Sequence, residues 1–253
     1  MTRIFLDHQH IRGDRATVRG PDAHHLLNVL RMAPGDEFVV VDERGAERDA
    51  TIEGVEDDRI LAKLGPRRQP QTEPGVPIHL YHGLPRASRY ETSLRMCTEL
   101  GAVEFVPVLS ARSVIRLDES ALERKHERWS RIVREAARQC GRTAIPQIVR
   151  AVSWQDALEH FRASGLPGLM PSAGLAGTEA PSLGRAARDL AEAGRPDGVA
   201  LFVGPESGFD LAEEAAARDA GISLVTMGPR ILRTETAAVV ATAICLDHLG
   251  ELG

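Results

Sequence analysis

Apolar and polar positions keep two different rhythms along this chain. From Arg3 to Leu64 the apolar residues come in short runs broken by turn residues: Phe38–Val41 follows a Pro34-Gly35 turn, Glu43-Arg44-Gly45 separates it from a run opening at Ala50-Thr51-Ile52, and Arg59–Leu64 is the next. One helical stretch, Asp22–Arg31, interrupts them. Short strands at close spacing predict a small β-barrel or closed sheet. Four prolines then fall between Pro66 and Pro77 among few apolar groups, which is the composition of a linker.

Beyond it, Ile78–Tyr81, Phe105–Val108, Val199–Val203 and Ser223–Val225 read as buried strands. Tyr90–Leu100, Leu122–Cys140, Ser153–Phe161, Leu183–Ala193, Ala212–Ala220 and Thr234–Leu249 carry helical spacing. That alternation predicts a mostly parallel sheet covered by helices. The expected organisation is a β domain over residues 1–70, a linker over 71–77 and an α/β domain over 78–253. In such a sheet ligands sit at the carboxyl ends of the strands.

Composition adds exclusions. No stretch approaches the ~18 apolar residues of a membrane helix, and Met1–Ile11 lacks the apolar run of a signal peptide, so a cytoplasmic protein is expected. Cys97, Cys140 and Cys245 are widely spaced and odd in number, which suggests neither a disulfide framework nor paired zinc ligands, and they read as buried thiols. The pairs His8 and His10, His24 and His25, and His79 and His82 lack carboxylate or cysteine partners at metal-binding spacing and read as surface or cap histidines; no metal is expected. A net charge of -5 argues against indiscriminate nucleic-acid binding, yet residues 112–150 hold ten basic and five acidic residues. Projected at about 100° per residue, Arg124, Arg128, Arg131, Arg138 and Arg142 form a stripe opposite Leu122, Trp129, Val133, Ala136 and Cys140. The stripe is a candidate phosphate-binding face.

Two loops follow buried strands and precede helices, where a ligand belongs: Gly204-Pro205-Glu206-Ser207-Gly208-Phe209, and the run from Gly228 to Ala237 with Arg233-Thr234-Glu235-Thr236 inside it. Their glycines permit close approach to backbone, their prolines stiffen the turns, and Thr234 can cap the next helix. Neither has the glycine spacing of a Walker A or dinucleotide-binding turn, and no Gly-x-Ser-x-Gly turn is present. ATPases, NAD-dependent enzymes and serine hydrolases are thereby disfavoured.

With Arg3-Ile4-Phe5, His25-Leu26, Val29-Leu30-Arg31, Thr98-Glu99-Leu100-Gly101, Arg112-Ser113, Glu127-Arg128-Trp129, Gly204-Pro205-Glu206 and the run from Gly228 to Ala237, the chain resembles the bacterial small-subunit ribosomal RNA uridine-N3 methyltransferases of the SPOUT, or trefoil-knot, class. The resemblance implies an N-terminal PUA-like RNA-binding β-barrel, a C-terminal knotted α/β domain, S-adenosylmethionine as methyl donor, a homodimer, and 16S ribosomal RNA as substrate, free or within the assembled small subunit. Carried over, the donor site falls on Met170, Gly204, Met227, Gly228, Ile231, Leu232, Arg233, Thr236 and Ala237. Arg3, Arg31 and Arg112 join the helical stripe as RNA contacts. The sequence departs from the family at Ser207, where a second glycine is usual, and at Arg86 and Met96, where lysine is usual.

The chemistry implied is methylation of uracil N3, whose proton must leave as negative charge spreads onto O2 and O4. A guanidinium is a poor base, so Arg233 is expected to stabilise that charge or hold a phosphate. Glu206, Glu235 and solvent remain open as proton acceptors. Two rivals stand beside this reading: a non-catalytic RNA-binding assembly factor on the same fold, suggested by Ser207 and Met96, and a knotted methyltransferase acting on another RNA atom such as a ribose 2′-hydroxyl.

Overall fold

The computed structural model describes residues 2–113 and 118–252. The chain forms two compact units, Met1–Glu73 with Ala137–Ile145, and Pro74–Ala136 with Pro146–Gly253. Among the described residues no helix is long and apolar enough to cross a membrane.

The first unit is a curled sheet of six strands, β1 (Arg3–Leu6), β2 (Ile11–Arg12), β3 (Arg15–Val18), β4 (Glu37–Asp42), β5 (Glu47–Glu56) and β6 (Arg59–Leu64), in the order β1-β4-β5-β6-β3-β2. Alternation makes its inner face: in β6, Ile60, Ala62 and Leu64 are buried while Arg59 and Lys63 are exposed. Ile4, Val18, Leu26, Phe38, Val40 and Ile52 complete the core. The expected helix Asp22–Arg31 is only α1 (Gly20–His24), continued by a wide π turn over His25–Val29. Pro21 opens it, and Arg31, at φ 56°, ends it in the left-handed region.

Buried charge ties the returning segment 137–145 into this unit. Glu73 accepts hydrogen bonds from Arg142 Nε at 3.0 Å, Thr143 N at 2.8 Å and Ala144 N at 3.0 Å. Arg138 pairs with Asp22, and Arg3 pairs with Glu47 at 2.6 Å while donating to the carbonyls of Gly141 and Arg142. These contacts correct the expected RNA face at three positions. Arg142 is only 4% exposed and lies past the helix, which stops at Cys140 before Gly141 at φ 85°, so its helical projection does not hold. Arg138 and Arg3 are likewise engaged inside the unit. Cys140, expected buried, is exposed, whereas Cys97 and Cys245 are buried.

The second unit is an all-parallel sheet of β7 (Ile78–Gly83), β8 (Ala102–Leu109), β9 (Gln147–Ile148), β10 (Val152–Ser153), β11 (Gly168–Pro171), β12 (Val199–Val203) and β13 (Ile222–Val225). Its order is β10-β8-β7-β12-β11-β13, with β9 beside β8. The helices are α2 (Ala87–Leu100), α3 (Glu119–Cys140), α4 (Trp154–Ser164), α5 (Leu183–Glu192), α6 (Leu211–Asp219) and α7 (Thr234–His248). One face of the core centres on Phe202, stacked on Tyr81 at 4.3 Å and met edge-on by Phe161 and Trp154. On α7, the chain's most apolar helix, packing against α2 and α5 explains burial of Ala238, Ala241, Cys245 and Leu246.

Candidate active site

Because all strands of the second sheet run parallel, the loops leaving β8, β11, β12 and β13 gather at one edge. The last three, with the first turn of α7, wall a cavity of about 280 Å³. Six of the expected donor-site residues line it: Gly204, Met227, Gly228, Ile231, Leu232 and Ala237. Met170 does not; its side chain is fully buried in the core, and the next residues, Pro171, Ser172 and Ala173, form the wall. Arg233 and Thr236 also stand outside the wall and are exposed. Thr234 and Ala237, three residues apart, share the inward face of α7, which turns 233 and 236 outward.

Close backbone approach shapes the cavity. A Cβ on Gly204 would lie 2.9 Å from Gly208 Cα and 3.0 Å from Phe209 N. The Thr234 hydroxyl donates to Gly204 O at 2.6 Å, so the hydrogen bond it shares with His82 Nε2 at 2.8 Å is donated by the imidazole. His82, expected on the surface, is fully buried. Burial pushes its ring from the ordinary 6.5 down to about 3, and it is therefore neutral, carrying its proton on Nε2. This chain joins the end of β7, the loop after β12 and the start of α7. A second tie, Leu183 N to Thr226 O at 2.9 Å and Thr226 N to Pro181 O at 2.9 Å, fastens the loop after β11 to the loop after β13.

Of the acidic candidates, Glu206 is engaged by a hydrogen bond, whereas Glu235 Oε2 is buried with no hydrogen-bond partner among the described residues. Glu206 lines the cavity and accepts from Arg86 N at 3.0 Å, with Arg89 3.4 Å away; Glu235 lies 3.9 Å from the same Arg89. Ser207 does not obstruct the loop, because the left-handed residue there is Gly208 at φ 69°. Met96 is a partly exposed residue of α2 and is not on the cavity wall.

Of the remaining RNA candidates, Arg31, Arg112, Arg124, Arg128 and Arg131 are exposed. Arg128 pairs with Glu91 at 2.7 Å; of the residues projected opposite the stripe, Trp129, Val133 and Ala136 are buried, Leu122 is half-buried and Cys140 is exposed.

Acid should destabilise the fold in two stages. Since His82 titrates lower folded than unfolded, its contribution is complete above about 6.5 and is lost as pH falls toward 3. Burial works to raise Glu73 and Glu104, but Arg142 with two backbone N–H groups outweighs it for Glu73, and the His79 hydrogen bond does so for Glu104. Both sit below the ordinary 4.5, so their contribution disappears only below that value. Urea midpoints measured from pH 8 to 4 should fall from 6.5 downward, and His82→Gln, which keeps an N–H for Thr234, should flatten the decline between 6.5 and 4.5.

The RNA methyltransferase domain family matches residues 72–246, and its RNA methyltransferase PUA domain matches residues 18–65. Ribosomal RNA small subunit methyltransferase E of Bacillus subtilis is 31% identical over 89% of this chain and 87% of its own length. The Synechocystis protein of that name is 32% identical over 95% and 76%. A crystal structure of the Neisseria gonorrhoeae small subunit methyltransferase E bound to S-adenosyl methionine superimposes with a TM-score of 0.83 at 30% identity, covering 98% of this chain and 97% of that one. The fold thus joins a PUA-like domain to the α/β domain that the sequence motifs implied. With family motifs over both units and relatives aligned along nearly the whole chain, this protein belongs to the ribosomal RNA small subunit methyltransferase E family of RNA methyltransferases.

Proposed function

We propose that the cavity holds S-adenosylmethionine and that the protein methylates N3 of a uridine in 16S ribosomal RNA, free or within the small subunit, in the cytoplasm. The observation that carries this reading is the cavity itself, walled by the backbone of Gly204, Gly208 and Gly228 and by Ile231, Leu232 and Ala237. A donor without phosphates needs backbone groups for its adenine edge and apolar walls for its face, not a basic cradle, and these residues fit that need. When bound, the sulfonium supplies a methyl group to the ring nitrogen and leaves as a neutral thioether. Arg233 immediately precedes α7 beside the wall, with its side chain exposed toward solvent. There its guanidinium would offset the charge on O2 or O4 as the N3 proton departs.

A homodimer fits α7, where Val239, Val240, Ala243 and Ile244 remain only partly covered. Nucleotide mass mapping should find 3-methyluridine absent from 16S RNA of a deletion strain and restored by the gene; a missing ribose methyl would replace this reading with the 2′-hydroxyl rival. Sedimentation should give a dimer at micromolar concentration, and a monomer would exclude that assembly.

A further inference from the structure

A second cavity, of about 160 Å³, adjoins the first and shares Ser172, Gly204, Ser207 and Gly208 with it. Its own walls bring in Arg112, Leu211 and Glu214. At little more than half the volume of the first cavity, it suits a smaller occupant such as a single ring.

Arg112 is held there from several directions. Its Nη1 donates to Ser207 O at 2.9 Å, and the Ser207 hydroxyl donates back to Arg112 O at 3.4 Å. The preceding residue is pinned as well, since Ala111 N donates to Glu213 Oε1 at 2.8 Å. Glu213 is buried and uses its other oxygen to accept from Asp210 N at 2.9 Å, closing the cap of α6. With its backbone held and Nη1 on Ser207 O, the guanidinium is directed to this cavity and can use its other N–H groups to meet developing charge. Leu211, 83% exposed, offers an apolar surface at the same cavity. Glu214, which accepts from the Ser172 hydroxyl at 2.6 Å, puts a carboxylate on the wall. That carboxylate disfavours an anionic occupant, whether a phosphate or the donor's own carboxylate. A neutral ring with a carbonyl oxygen for Arg112 and a flat face for Leu211 satisfies two of these side chains and sets no negative charge against the third.

We propose that this second cavity receives the acceptor uracil, drawn out of its stack beside the donor cavity, with Arg112 donating to one of its carbonyl oxygens. Chemistry on a base edge requires the base to leave the stack, and a pocket sharing walls with the donor's brings ring and methyl together. The assignment rests on the uridine-N3 reading and names the residue that holds the substrate ring.

Arg112→Ala and Arg112→Lys test it in the full-length protein. Titration with S-adenosylhomocysteine should change by no more than about two- to threefold in both, since Arg112 reaches the donor wall only through Ser207, and so small a change also reports that the donor site remains folded. Single-turnover methylation at saturating small-subunit RNA should fall about tenfold in Arg112→Ala, the loss of one charge-assisted hydrogen bond, with partial recovery in Arg112→Lys. The pH–rate profile of Arg112→Ala should move to higher pH, because the ring loses the cation that favours its deprotonated form. Loss of donor affinity in step with rate would give the cavity to the donor's amino-acid tail and overturn the proposal. A raised KM for RNA with the saturated rate and pH profile intact would make Arg112 a phosphate contact, with the same result. Mapping of the wild-type product keeps the two readings apart: a methyl found elsewhere than N3 removes the uridine-N3 reading, while an N3 product with an unaffected Arg112→Ala removes only this cavity's assignment.

Discussion

Gly204→Val is expected to weaken S-adenosylhomocysteine binding by roughly 100-fold or more. The added Cβ would lie 2.9 Å from Gly208 Cα and 3.0 Å from both Gly208 C and Phe209 N, all backbone atoms with no rotamer to yield. The loop must therefore move, at an overpacking cost of about 1–3 kcal/mol. Movement also withdraws the carbonyl that accepts from Thr234, whose hydroxyl is linked in turn to buried His82. An orphaned buried polar group adds about 1–3 kcal/mol. Since about 1.4 kcal/mol is tenfold, the two together reach the stated loss. Gly228→Val should act differently. A Cβ there meets nothing within 4 Å, but the backbone sits at φ 95°, so the penalty is strain of about 1–3 kcal/mol rather than collision. Titration calorimetry should rank the two variants in that order. If the wild-type protein gives neither heat nor a thermal shift with millimolar ligand, the donor assignment itself is lost.

What the residues reveal in advance follows the range of the forces involved. Glycines and prolines at strand ends are local signals, so both cavity-forming loops were legible, as was the inward face of α3 around Trp129 and Val133. Contacts between distant segments left no such mark. Arg138 and Arg142 look like members of a basic helical stripe until the helix ends at Cys140 and they find Asp22 and Glu73, residues more than sixty positions away. Nothing in the composition around 137–145 announces that this stretch returns to the first unit. His82 reads as one of many histidines because its burial depends on β7 being covered by α7, which joins from the other end of the domain. The wall residues Pro171, Ser172 and Ala173 were within reach of a local rule: Gly168–Pro171 is a short apolar strand, and the carboxyl-end argument applied to it points one residue beyond Met170.

Arg233→Ala is expected to reduce single-turnover methylation by about 100-fold while leaving S-adenosylhomocysteine affinity nearly unchanged. The split follows from position. Arg233 precedes α7 with extended backbone, at φ -65° and ψ 151°, and its exposed side chain is not part of the donor cavity wall. On the uridine-N3 proposal, its charge acts once the uracil oxygens become negative, which happens as the N3 proton leaves. The wild-type rate should rise with pH until proton removal no longer limits it, provided the protein stays folded, and Arg233→Ala should require a higher pH to reach its own plateau. Equal losses of donor affinity and turnover would make Arg233 a donor-binding residue and refute the charge-stabilising role. Full activity in the variant would take this arginine out of the site altogether.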